Sequence, residues 1–250
     1  MRIILIIACL TSLSFNTTAQ YNQTPGMGDE FKRIAGAGKT SLQHGEGFQS
    51  YSSQKTEGSQ FFNPEWANGY IISTGNQLIK DSSFQFKFDQ VRHELFITNK
   101  ASIHPVNTGE ILMADKSQVR SFAIITDKEH FFVAGRNYST ENPDDFYELL
   151  VKNDSAYTLL KYVKTKFVKF DNGDIEKVKK GEFYDEFVEK TLYYISFRSS
   201  SPQLVDFREK TIIHAVPLAK KVTIEEYFSN NSQQVENDDF LINLVKALNR

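Results

Sequence analysis

The chain has 250 residues, a formal net charge of −2 and one cysteine. A charge balance this close to zero excludes a general electrostatic preference for nucleic acid or anionic membranes. The cysteine, Cys9, lies in a leader that we expect to be removed, which excludes disulfides, thiolate metal sites and cysteine nucleophiles from the mature protein.

The first 20 residues are typical of a secretory signal peptide. Arg2 precedes an apolar run over residues 3–13, and small polar residues lead to Ala19. The apolar run is shorter than the roughly 20 residues that span a bilayer. A lipidated Cys9 would leave too few residues for the charged and apolar regions ahead of it, so we expect cleavage before Gln20 or Tyr21. The mature chain then has no transmembrane segment and lies in the periplasm, on the outer surface or in the medium.

Residues 21–57 are predicted to form a flexible arm. Seven of the thirteen glycines lie in residues 21–58, among Ser, Gln and Thr. Such a segment buries too little apolar surface to offset the entropy of ordering it. Only residues 29–35, DEFKRIA, are compatible with a helical turn. We expect one domain over residues 58–250.

The arm also contains a partial phosphate-binding loop. Gly38, Lys39 and Thr40 match the second half of Gly-x-x-x-x-Gly-Lys-Ser/Thr, but Arg33 stands at the first glycine. The preceding residues are too polar for a buried strand, and two glycines interrupt the expected helix. We therefore predict no nucleotide site and no cofactor.

The domain alternates short apolar or aromatic runs with turn residues, which is typical of antiparallel strands. Phe84, Phe86 and Phe88 show this best, because they alternate with polar residues and define one buried strand face. We predict an α+β fold, mainly β, with a strand meander forming a curved sheet or partial barrel. The predicted strands cover residues 69–73, 77–81, 83–89, 93–99, 110–115, 119–126, 130–136, 146–152, 156–170 and 191–197, while residues 178–190 are ambiguous.

A C-terminal helical unit is predicted from about residue 206. The clearest helix covers residues 237–249, where Asn237 can cap the first turn and acidic residues follow it. Its apolar residues recur at helical spacing, so this helix should pack against the sheet.

The stretch EGSQFFNPEWANGYI, with Gly58, Ser59, Asn63 and Gly69, is followed by strands, a lysine-rich long strand and the C-terminal NDDFLINLVKALN. This pattern resembles a large family of exported bacterial β-rich proteins of unassigned function. The resemblance covers roughly residues 58–250 and implies export and a β-rich fold. It brings no catalytic residue to this chain.

No complete catalytic or metal motif is present in the sequence. The HELFI stretch has Ile97 where a zinc protease needs its second histidine, so His93 is interpreted as an ordinary strand histidine. The DNGD stretch has Val168 where a calcium loop needs its first aspartate. Neighbouring acids at 144–145, 185–186 and 225–226 point to opposite faces if they lie on strands. We therefore predict no catalytic, cofactor-binding or metal residue, and no metal site.

The best candidate for an interaction face lies in KYVKTKFVKF, residues 161–170. Tyr162, Lys164 and Lys166 share one strand face, and lysines interleaved with aromatic residues can bind anionic polymers. An ordinary edge strand has the same pattern, because exposed lysines discourage aggregation. The acidic balance of the chain argues against nucleic acid as the partner.

These observations predict an exported cell-envelope protein that is a non-catalytic binding or assembly module for an envelope protein or glycan. Two alternatives stay open. One is a hydrolase whose active-site residues are dispersed along the chain. The other is a carrier that holds an apolar ligand inside a β-barrel.

Overall fold

A computed structural model describes residues 27–35, 56–102, 111–138, 140–173, 175–198 and 200–250. The predicted signal peptide, most of the predicted arm and the Gly38-Lys39-Thr40 stretch lie outside the described residues. The interpretation of these segments therefore stays a prediction.

The described chain is mainly β, with helices at its C-terminal end, as the sequence predicts. The helices are α1 (Met27–Ile34), α2 (Ile175–Lys180), α3 (Glu209–Ala215), α4 (Lys221–Asn230) and α5 (Asp238–Leu248). The strands are β1 (Thr56–Glu57), β2 (Asn68–Ser73), β3 (Leu78–Ile79), β4 (Phe84–Asp89), β5 (Glu94–Asn99), β6 (Ile111–Met113), β7 (Val119–Ile125), β8 (Glu129–Ala134), β9 (Phe146–Val151), β10 (Tyr157–Val168), β11 (Asp185–Phe197) and β12 (Gln203–Val205).

The strands form two sheets. The large sheet has the order β1-β11-β10-β9-β8-β7-β2-β3, with β12 also paired to β11, and the small sheet has the order β4-β5-β6. All pairs are antiparallel except β1 with β11. Among the described strands the large sheet ends at β3 on one side and at β1 and β12 on the other, so it does not close into a barrel.

One face of the large sheet is covered by two different layers. The strand registers place Phe122, Phe132, Glu148, Lys161 and Tyr193 in one row across β7 to β11. The phenylalanine end of this row packs in a core with the small sheet and α1. The tyrosine end packs in a second core with α3, α4 and α5. Polar residues of the row therefore lie between two apolar cores.

Helix α1 differs from the expected arm. Phe31 is fully buried, its ring centroid lies 4.5 Å from that of Phe84, and Ile34 is buried beside it in the same core. The Ile34 carbonyl also accepts a hydrogen bond of 2.9 Å from the Asp115 amide. Two apolar residues at helical spacing are enough to anchor this short segment, because the core provides a complementary surface.

Two glycines of the stretch EGSQFFNPEWANGYI, Gly58 and Gly69, are required by close packing. Gly58 has a φ of +76°, and a Cβ there would lie 2.8 Å from the Phe187 carbonyl oxygen. A Cβ on Gly69 would lie 2.2 Å from the carbonyl oxygen of Ala123 on the neighbouring strand. Larger residues at either position would force the backbone apart.

The second half of β10 leaves the main body of the sheet. Strand β9 pairs with β10 only over residues 159–161, whereas β11 pairs with β10 along its whole length, out to Val168 opposite Glu186. Residues 162–168 and 186–192 therefore form a two-stranded ribbon. The ambiguous stretch after the DNGD turn divides into α2 and the first part of β11.

Candidate functional site

A cleft of about 560 Å³ lies where β10 separates from β9. One wall is the turn before β5, and the other is the ribbon half of β10. We call it the β10 cleft and define it by its lining residues, which are Val91, Arg92, His93, Asn142, Asp145, Tyr162, Lys164, Thr165, Lys166 and Phe167. The three residues predicted as an interaction face therefore line one cleft.

The lysines of the ribbon are exposed and carry unbalanced positive charge. Lys164 and Lys166 line the cleft, and Lys190 on β11 lies directly opposite Lys164. No residue in the described part of the chain forms an ion pair with any of these three ammonium groups. Like charges directly opposite each other on a sheet are destabilising. The ribbon thus presents a cationic face that the described acids do not neutralise.

Tyr162 forms part of the cleft wall and is 4% exposed. Its ring is stacked between His93 and Tyr147, with centroid distances of 4.8 Å to each. Its hydroxyl donates a 2.8 Å hydrogen bond to Asp145 Oδ2. Burial, followed by the hydrogen bond to Asp145, raises the pKa of Tyr162. Both faces of the ring are covered, so Tyr162 positions the wall and does not serve as an open stacking platform.

Asp145 connects the cleft to the body of the sheet. Besides accepting from Tyr162, its carboxylate lies 3.5 Å from the ammonium group of Lys116. The neighbouring Asp144 points to solvent, where it pairs with Arg136 at 3.3 Å. The two adjacent acids therefore have separate partners and do not act together. Asp145 is the only acid among the described residues that line the cleft.

Of the residues that line the cleft, His93 has the most buried polar atoms without a described hydrogen-bond partner. It lies in the turn before β5 and not on the strand itself, and its backbone has a φ of +55°. The residue is 4% exposed, and neither ring nitrogen has a hydrogen-bond partner among the described residues. A buried polar group without a partner and a left-handed non-glycine backbone each cost stability.

The pKa of the His93 imidazole is lowered, chiefly because burial disfavours its charged form. The Asp145 carboxylate opposes this shift, while the ammonium groups of Lys116 and Lys164 add to it. A contact with the backbone of Phe146 also favours the protonated ring. The balance keeps His93 neutral at pH 7.

A second, smaller cavity of about 160 Å³ lies between the two apolar cores and shares His93 with the cleft. Glu148, Lys161 and Glu189 also line it. Glu148 is bound to His130 Nδ1 at 2.7 Å, and Lys161 is bound to Asp238 at 2.7 Å. Two of its charged groups are therefore held by specific partners, and its volume is below the roughly 300 Å³ typical of ligand pockets.

Within the described ranges, no group of three or more histidine, cysteine, aspartate or glutamate residues is arranged to hold a metal ion. Ile97, which breaks the zinc motif, is fully buried in the core. The arrangement of the β10 cleft instead suits recognition of an anion, through exposed ammonium groups beside a neutral imidazole.

Sequence reasoning identified the lysines but missed the roles of His93 and Asp145. Strand alternation places Tyr162, Lys164 and Lys166 together because it needs only local spacing. The approach of His93 to Tyr162 joins residues far apart in the chain. The only local signal was a histidine between the polar residues QVR and a strand, which is compatible with a turn.

Comparison of the chain with protein-family models, with curated proteins and with solved structures found no match. The resemblance to exported β-rich proteins therefore stays a prediction from the sequence. Of the helices that the structure describes, none combines the length and the apolar character needed to cross a bilayer.

Proposed function

We propose that this protein is an exported, non-catalytic binding or assembly module of the cell envelope, and that it holds an anionic ligand in the β10 cleft. The observation that carries the proposal is the facing pair Lys164 and Lys190, with Lys166 beside it, at the border of a cleft. An anion bound there would relieve the repulsion between these charges. The predicted signal peptide supports placement in the envelope.

The polar groups of the cleft support binding more than catalysis. His93 is neutral, but neither of its ring nitrogens contacts a hydroxyl of a described residue that it would activate as a nucleophile. Asp145 is held by Tyr162 and Lys116, so its carboxylate is fixed as a structural acceptor. A ligand with acidic and hydroxyl groups would find donors on the lysines and an acceptor or donor on His93.

A hydrolase is the competing candidate, and the small cavity favours it. Glu148 and Glu189 both line that cavity, so two carboxyl groups converge there. Glycoside hydrolysis needs two acids across a cleft. Turnover of envelope glycans or peptidoglycan fragments by the purified protein, lost in Glu148→Gln and retained in Lys164→Glu, would establish the hydrolase and overturn the non-catalytic proposal.

Calorimetric titration with acidic oligosaccharides, peptidoglycan fragments and acidic peptides tests binding. We expect one class to bind, with affinity falling as salt is raised, since exposed charges are screened at high ionic strength. The double variant Lys164→Glu/Lys166→Glu should lose binding. Lys179→Glu/Lys180→Glu on α2 is the matched control, because it makes the same charge change outside the cleft.

Export is tested separately by the mass of the protein recovered from cells. We expect the protein in the envelope or the medium to begin at Gln20 or Tyr21. Recovery in the cytoplasm with residues 1–20 retained would contradict placement in the envelope without bearing on the cleft.

A further inference from the structure

No described strand covers the outer edge of β10 along the cleft. Past residue 161, no strand in the described part of the chain pairs with β10 on the side away from β11. In an antiparallel pair, alternate residues direct their backbone N–H and C=O groups away from the partner. Residues 163–166 therefore present backbone donors and acceptors beside the cleft that pair with no described strand.

The cleft is suited to an extended occupant along this edge. Val91, Arg92 and His93 form the wall opposite β10, and the volume of this open cleft, about 560 Å³, lies within the range of ligand-binding clefts. The outer edge of β11 is covered at its two ends, by β1 at residues 185–186 and by β12 at residues 193–195, and the described lining of the cleft contains no residue of β11. The β10 edge is the one that borders the cationic cleft.

Buried polar groups without partners lie on both sides of this space. The Thr165 hydroxyl on β10 is buried and makes no hydrogen bond with a described residue. The two ring nitrogens of His93, on the facing wall, are also buried and make no hydrogen bond with a described residue. Most buried polar groups in proteins have partners, so such groups on opposite walls of one cleft point to an absent ligand.

The charges favour an acidic occupant. Arg92, Lys164 and Lys166 line the cleft, whereas Asp145 is the only acid that the described lining contains and is already bound to Tyr162 and Lys116. Because Lys164 and Lys166 are two residues apart, acidic side chains at alternate positions of a neighbouring strand would face both.

We propose that the β10 cleft binds an extended acidic peptide segment of a partner protein, which adds to β10 as a new strand. This inference rests on the proposed binding function and names its ligand class. The backbone edge of residues 163–166 supplies the main-chain hydrogen bonds, and Lys164 and Lys166 select acidic residues at every second position. The ordinary edge-protecting role of lysines is the alternative, and it predicts no peptide binding.

The test uses a fluorescent eight-residue peptide in which glutamate alternates with valine or threonine. Anisotropy titration of the purified protein should give saturable binding. A peptide of the same composition with its glutamates in one block should bind about tenfold more weakly, because its charges cannot all face the lysines. Lys164→Glu/Lys166→Glu should weaken binding by tenfold or more, on the order of 1.4 kcal/mol or more, while Lys179→Glu/Lys180→Glu should leave it unchanged.

Backbone methylation of the peptide isolates strand addition from charge attraction. N-methyl groups at one set of alternate residues should abolish binding, and methyl groups at the other set should be tolerated, because only one set faces β10. If neither set of methyl groups changes peptide binding, strand addition is overturned, even if the lysine variant still weakens binding.

An acidic oligosaccharide of equal charge, such as an oligogalacturonate, separates the two proposals. Lysine-dependent binding of the oligosaccharide alone would overturn the peptide inference and retain the proposed binding function. Absence of binding by every anionic probe would overturn both. Binding of the alternating peptide with the predicted methylation pattern supports both.

Discussion

Strand β4 contributes to the phenylalanine core beneath the small sheet, and the turn that follows it contributes to the β10 cleft. These two neighbouring regions differ in the kind of side chain that they bury. Phe86 and Phe88 on β4 are buried among other rings. Only a few residues later, His93 is buried with a lowered pKa and two ring nitrogens that lack a partner among the described residues. The core buries apolar rings against one another, whereas the cleft holds polar groups without a described partner and like charges close together.

This contrast separates residues that stabilise the fold from residues that serve a ligand. A core residue should be replaceable only at a cost in stability, because its contacts are already optimal. A cleft residue whose side chain makes no favourable contact should be replaceable at little cost, or even with a gain, because natural proteins accept locally unfavourable groups at functional sites. Each prediction below tests one side of this comparison.

The largest effect is expected in the core. Phe86→Ala should lower the free energy of unfolding by about 3 to 5 kcal/mol, since a fully buried ring is lost and a cavity is left. Urea denaturation measures the change. Phe84→Ala, at a half-buried position on the same strand, should cost clearly less, and equal losses at the two positions would contradict the assignment of the core.

Tyr162→Phe should have an intermediate effect. It removes the hydroxyl that donates to Asp145 but keeps the ring stacked between His93 and Tyr147. Loss of a hydrogen bond to a charged acceptor should cost about 1.5 to 3 kcal/mol. A neutral result in urea denaturation would show that Asp145 does not depend on Tyr162.

His93 should make stability depend on pH. Its pKa in the folded protein is below the ordinary value of 6.5, so below about pH 6.5 the unfolded chain takes up a proton that the folded protein does not. Stability should therefore fall as the pH drops through 6.5, by at most about 1.4 kcal/mol per pH unit. Asp145 opposes this loss, and Lys116 and Lys164 increase it.

His93→Asn should remove that pH dependence, because asparagine does not titrate and tolerates a positive φ. Melting temperatures between pH 5 and 8 measure the difference. Parallel curves for the two proteins would contradict a neutral, buried His93, whereas a steeper fall of the wild-type melting temperature toward low pH would support it.

The smallest expected change is a gain in stability. Lys164→Glu replaces a like-charge pair with Lys190 by an opposite-charge pair, so it should stabilise the protein by about 0.5 kcal/mol while weakening anion binding. Lys179→Glu, on α2, should change neither clearly. A loss of stability in Lys164→Glu would mean that Lys164 stabilises the fold and is not an unfavourable residue kept for a ligand.

Local patterns predicted most of the fold. The alternation of Phe84, Phe86 and Phe88 correctly predicts strand β4 and its buried face, and the Asn237 cap correctly predicts the start of α5, where its side chain accepts from the Phe240 amide. These features depend on neighbouring residues, so a sequence reveals them. The order of the strands and the burial of α1 depend on contacts between distant segments.

The candidate site was predicted only in part for the same reason. The lysine spacing of the ribbon is visible in the sequence, but the cleft exists because β9 pairs with only three residues of β10. That early separation lets the turn at His93 reach Tyr162. Sheet register is set by tertiary packing, so no local pattern in the sequence of β9 or β10 predicts the cleft.

Hydrogen exchange at β10 tests the central claim most directly, namely that its open edge beside the cleft is the binding site. In the free protein, alternate amides of residues 163–166 should exchange faster than those of residues 159–161, which lie between two strands. Addition of the alternating acidic peptide should slow those fast amides and leave α2 unchanged. Slow exchange along this edge in the free protein, or peptide binding without protection there, would contradict the claim.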